Sequence, residues 1–117
     1  MTLSELYNTI NGDYEGVIGR FRGEERVVKF LGMFLRDPSY SELKRNMEEG
    51  NCSEAFRAAH TLKGVAANLG MTAMHDMASD ITEALRAENM NLANALMPQL
   101  EDMYEIVISA IDSILEK

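Results

Sequence analysis

Apolar positions recur at i, i+3, i+4 spacing along almost the whole chain, and no stretch shows the period of two that marks a half-buried strand. Gly, Asn, Asp and Pro fall between these patterns and punctuate them as helices. The first predicted helix runs from about Ser4 to Ile10 and stops at Asn11-Gly12. Asp13 is placed to cap a second, Tyr14 to about Phe21, in which Gly16 and Gly19 each cost about 1 kcal/mol. Beyond Gly23, Glu24–Arg36 gathers Val27, Val28, Phe30, Leu31, Phe34 and Leu35 into one broad apolar face. Asp37-Pro38 ends that helix and starts the next, with Pro at the first helical position, and Gly50 supplies a left-handed stop after about Glu49. Asn51-Cys52-Ser53-Glu54 is an Asn-x-x-Glu variant of the capping box and opens a helix from about Cys52 to Leu69, closed by Gly70. Thr72 is read as the cap of a further helix to about Ala87. After the turn at 88–91 the last pattern reaches Ile114 or Leu115, and Pro98 predicts a short first turn followed by a kink or restart. Connections this short imply antiparallel neighbours. The expected fold is all-α: an antiparallel four-helix bundle, core about 24–117, with additional short N-terminal helices, in one domain over 1–117.

Composition changes the picture mainly by exclusion. The 117 residues suffice for one modest core. Lys and Arg number 11 against 19 Asp and Glu, a net charge of −8, which disfavours nucleic acid and anionic membrane as partners. Cys52 is the single cysteine and forms no internal disulfide, and the first residues carry no leader or spanning pattern, so a cytoplasmic setting is expected. Nine methionines are many for this length; Met33, Met47, Met74, Met77, Met97 and Met103 mostly fall at core spacings and read as flexible filling of the bundle interior, with a Met-rich docking surface as the other reading. Reactive groups are scarce: His60, His75 and one thiol.

The informative segment is 55–70. At about 100° per residue, Ala55, Ala58, Ala59, Leu62, Val65, Ala66 and Leu69 form one wide apolar arc. His60 lies roughly 160° from the middle of that arc, with Lys63, Gly64 and Ala67 beside it and Phe56 one turn before it. The ring therefore points away from the core. Imidazoles ordinarily titrate near ~6.5, so a neutral ring nitrogen is available as a nucleophile at neutral pH, and transfer to it should fall in acid. Lys63 reaches the same surface and could compensate the charge of a phosphoryl group if His60 carried one. Gly64 costs about 1 kcal/mol in a helix interior where Ala would fit, which points to a place that a Cβ would obstruct. Phe56 and Ala67 extend the site into a low, partly apolar patch suited to protein docking. Singly, each feature has a plainer reading: a surface histidine, a solvated lysine, a glycine at a close helix crossing. Together, off the core arc, they favour a site.

The run His60-Thr-Leu-Lys63-Gly64-Val-Ala-Ala-Asn-Leu-Gly70 resembles the signature of histidine-containing phosphotransfer (HPt) domains, His-x-Leu-Lys-Gly followed by Leu-Gly. The helix layout extends the resemblance over nearly all of the chain. It implies a phosphorelay intermediate in which a receiver-domain aspartyl phosphate is attacked by the histidine and a second receiver then takes the phosphoryl group. Carried over, His60 is the phosphorylated residue, Lys63 the charge-compensating neighbour and Gly64 the clearance for the receiver. The partners implied are receiver domains of response regulators or hybrid kinases, and Mg²⁺ belongs to the receiver, so no cofactor is expected on this chain. A monomer with the His60 face open is expected.

Other features fit around that reading. No glycine-rich phosphate loop is present, so ATP-dependent self-phosphorylation is not expected and the chain reads as a phosphocarrier, not an enzyme. On the next helix Met74, Met77, Ala78, Ile81 and Leu85 form the core stripe, while His75, Ser79, Thr82 and Arg86 run along one flank. If that flank borders His60, Thr82 could hydrogen-bond the ring and Arg86 attract the phosphoryl group; otherwise it is an exposed flank. Asn68 reads as a rim contact. His75 and His60 lack a third ligand at helical spacing, so no metal site follows, and Cys52 reads as a bystander. The alternative from a different class is a helical interaction module that binds its partner without phosphorylation.

Overall fold

Helices form where the apolar periodicity places them in the computed structural model, which describes residues 1–116. Among the described residues there are seven and no strand: α1 Leu3–Thr9, α2 Tyr14–Phe21, α3 Glu24–Phe34, α4 Ser39–Glu48, α5 Cys52–Asn68, α6 Thr72–Arg86 and α7 Met90–Leu115. The connections 49–51, 69–71 and 87–89 are short, so α4 to α7 run antiparallel in turn, with α5 packed between α4 and α6, and α6 against α7. Long side chains close the bundle between its first and last helices. The Tyr40 and Tyr104 rings stack at 3.9 Å, and Lys44 Nζ lies 3.1 Å from Glu101 Oε2. α3 joins α7 through Phe34 and Tyr104, and α2 joins α3 through Phe21 and Phe30.

Several local expectations are corrected. α3 ends at Phe34, not Arg36, because the chain tightens into i→i+3 bonds from Leu35, Arg36 and Asp37 to the carbonyls of Gly32, Met33 and Phe34. Pro38 precedes the first helical residue of α4, and Asp37 Oδ1 accepts the Ser39 N–H at 2.9 Å in its place as a cap. Thr72 is the first residue of α6, not its cap; Met71 precedes it, and the Ala73 N–H is satisfied by the Asn11 carbonyl at 3.3 Å. α7 neither restarts nor breaks at Pro98. Pro98 and Asn94 are both exposed, so the i+4 bond that Pro98 cannot donate is lost on the solvent side of α7. Met33 is 47% exposed instead of core, and Met71, not singled out, is fully buried. Met47, Met74 and Met103 are buried, and Met77 and Met97 half-buried.

The N-terminal helices hold the loop that ends α5. The Asp13 N–H donates to the Gly70 carbonyl at 2.8 Å, and the Tyr7 hydroxyl donates to the Leu69 carbonyl at 2.6 Å. A Cβ at Gly12 would stand 2.6 Å from the Gly70 oxygen and 2.7 Å from Tyr7 Cδ1, so only glycine permits this approach. Gly70 itself has φ +70°, the left-handed stop expected of it. Arg20 of α2 completes the arrangement: its Nη1 donates to the Asn68 carbonyl at 2.6 Å, placing a cation at the negative end of α5. Among the described residues no helix is long and apolar enough to cross a membrane.

Candidate functional site

α5 begins at an Asn51 cap whose side chain accepts the Glu54 N–H at 3.3 Å. Ala55, Ala58, Ala59, Leu62, Ala66 and Leu69 are buried against the bundle; Val65, at the edge of the predicted arc, is half-buried. This packing fixes the rotation of the helix and turns His60 out to solvent. Among the described residues the imidazole has no hydrogen-bond or ion-pair partner, and its neighbour of defined geometry is the Phe56 ring, edge-on at 6.0 Å. His60 also lines a polar groove of about 570 Å³ between α4 and α5, together with Glu42, Arg45, Asn46, Arg57 and Thr61.

Lys63 is half-buried along its stem and has no ion-pair partner among the described residues, so its charge is uncommitted. A Cβ added at Gly64 would meet nothing within 4 Å. The helix-crossing reading of that glycine therefore fails: among the described residues nothing packs where its side chain would stand. Ala67 and Asn68 are exposed, and the backbone carbonyl of Asn68 is the acceptor for Arg20. Beyond them a shallow depression of about 190 Å³ between α3 and α5 is lined by Phe30, Met33, Phe34, Asp37, Val65, Asn68 and Leu69. Exposed Met33 thus sits beside the outward face of α5 and does not fill the core. Arg20 was missed altogether, since only tertiary folding brings α2 to the end of α5.

Two residues of α6 depart from expectation. Thr82 is fully buried, and its hydroxyl donates to the Ala78 carbonyl at 2.7 Å instead of reaching the imidazole. α6 is packed between α5 and α7, so its buried arc is wider than one stripe and takes in Thr82 and Ala84. Arg86 is exposed and engaged: its Nε lies 3.2 Å from Glu83 Oε1, and its Cζ stands 5.0 Å from the Phe56 ring centroid. His75 Nδ1 lies 3.0 Å from Asp76 Oδ1, away from the His60 surface on the first turns of α6. The Cys52 thiol donates weakly to the Leu85 carbonyl at 3.5 Å. Among the described residues no group of three or more His, Cys, Asp or Glu is placed to hold a metal ion.

Among the described residues the surface brings together an exposed imidazole without a partner, an ammonium one turn on without an ion-pair partner, and a glycine beside them. Among the described residues no acid or base is hydrogen-bonded to the imidazole. A family model described as the Hpt domain matches residues 32–110, from within α3 to within α7, and so includes the whole of α5. No curated protein and no solved structure matches the chain.

Proposed function

The chain belongs to the Hpt domain family, and from that premise we propose that it is a phosphocarrier whose His60 accepts a phosphoryl group from a receiver-domain aspartate and passes it to another receiver. The observation that carries this reading is the outward set on α5: an unpartnered His60, an uncommitted Lys63, and a Gly64 whose absent side chain serves no contact within the molecule. A ring nitrogen of neutral His60 attacks phosphorus as the bond to the aspartyl oxygen breaks, and the carboxylate leaves while the other ring nitrogen keeps its proton. The reverse sequence loads the second receiver. Lys63 offsets the charge brought onto α5. Magnesium and the aspartate belong to the receiver, so this chain supplies nucleophile, charge and clearance, and acts as a carrier without an ATP site of its own. It works as a monomer with this face open, in a cytoplasmic setting.

Incubation with a phosphorylated receiver tests the reading. Acid-labile, alkali-stable label should appear on the wild type and be absent from His60→Gln. No label on the wild type from any receiver would instead favour an interaction module that docks without phosphorylation.

A further inference from the structure

A nucleophile that must meet phosphorus in line has to be aimed, yet His60 has no hydrogen bond among the described residues to aim it, and Thr82 is buried with its hydroxyl committed elsewhere. On a helix, long side chains lean back over the preceding turn, because the third χ1 well collides with the backbone there. For His60 that turn carries Phe56, four residues earlier. The two rings stand 6.0 Å apart at 69°, the edge-to-face arrangement that aromatic quadrupoles favour. Phe56 is held in turn from the neighbouring helix. The Arg86 guanidinium stands over its ring at 5.0 Å, and Glu83 fixes that guanidinium through contacts of 3.2 Å from Nε and 3.3 Å from Nη2.

We propose that Phe56 is a positioning residue that aims the His60 imidazole for transfer, and that Arg86 acts through Phe56 and not on the phosphoryl group. The proposal rests on His60 being the phosphoacceptor and deepens that reading. It also gives Phe56 a different task from docking: half-buried between the grooves on either side of the first turns of α5, its ring is occupied by contacts within the molecule.

Three variants separate the roles. Phe56→Leu removes the ring, Phe56→Tyr keeps it, and Arg86→Met removes the cation without touching α5. In Phe56→Leu the single-turnover transfer rate at saturating phosphorylated receiver should fall about threefold to tenfold, with the half-saturating receiver concentration unchanged. Phe56→Tyr should restore the wild-type rate, and Arg86→Met should fall about twofold. The ring-proton NMR resonances of His60 should move in Phe56→Leu, move less in Arg86→Met, and stay in place in Phe56→Tyr. Labelling by phosphoramidate, a small donor that needs no docking, should be equal in all of them. Unmoved His60 resonances in Phe56→Leu, or a raised half-saturating concentration with an unchanged plateau, would overturn the proposal and leave Phe56 a docking or packing residue. A wild type that no receiver or phosphoramidate labels would overturn the phosphoacceptor reading, and the role with it; the resonance shifts would still report the ring contact, so the two failures are told apart.

Discussion

Replacing Gly64 by alanine should make the protein more stable and the relay slower, and the two signs together test why the glycine is there. The residue lies inside α5 on its exposed face, so the new methyl buries nothing and meets no atom within 4 Å. What remains is backbone entropy: glycine in a helix interior is less favourable than alanine by about 0.5–1 kcal/mol. For a chain of this size that raises the melting temperature by about 2–4 °C, readable by circular dichroism. On the functional side the methyl stands beside His60 and Lys63 where a receiver must approach, and Gly64→Gln carries the obstruction further out at a similar helix propensity. Rapid-quench transfer from a radiolabelled receiver should slow severalfold for Gly64→Ala and by at least about tenfold for Gly64→Gln, which corresponds to about 1.4 kcal/mol of lost approach. Gly19→Ala gives a stability reference, since a Cβ there also meets nothing within 4 Å. A Gly64→Ala protein less stable than wild type would mean that the glycine serves internal packing. A folded Gly64→Gln protein with wild-type transfer would refute the clearance argument.

Three further outcomes follow from other contacts. Lys63→Gln should leave the urea midpoint unchanged, since the ammonium has no partner among the described residues, while slowing transfer by about threefold to tenfold, the scale of a charge contact open to water. Arg20→Ala removes the guanidinium that donates to the Asn68 carbonyl and should cost about 1 kcal/mol in urea unfolding, with faster amide hydrogen exchange at the end of α5. Among the described residues the buried Tyr40 hydroxyl has no hydrogen-bond partner, and burial, then Glu101 and Glu105, push its ionisation up to about 12. The native state therefore holds the proton where the unfolded chain has released it. Stability from this group is complete below about pH 10, an unfolded tyrosine's range, and is lost as pH rises towards about 12. Tyr40→Phe should flatten that alkaline fall in the urea midpoint, and an unchanged slope would show that Tyr40 does not contribute to it.

The parts of this molecule legible from sequence are those decided within one helix. The arc from Ala55 to Leu69 fixed which way α5 faces, and therefore the exposure of His60, because burial of one stripe leaves a helix no rotational freedom. The Asn51 cap and the Gly70 stop likewise depend on a few neighbouring residues. What was misread depends on a second or third element. Thr82 is buried because α6 has helices on two sides, and a hydroxyl that bonds its own helix tolerates that place. Met33 has core spacing, but α3 packs on the bundle by a narrower face than its composition suggests and leaves it out. Pro98 breaks an isolated helix, whereas α7 is held on α6 by packing that outweighs one missing bond. Arg20 and the Phe56–Arg86 contact join residues distant in sequence, and no local pattern announces such a meeting.

The most direct test is phosphorus NMR of the intact protein after exposure to a phosphorylated receiver, followed by a second, unphosphorylated receiver. A single phosphoramidate resonance should appear on the wild type, be missing from His60→Gln, and vanish when the second receiver is added. A resonance that survives in His60→Gln, or a wild type that never acquires one from any receiver, would contradict the account.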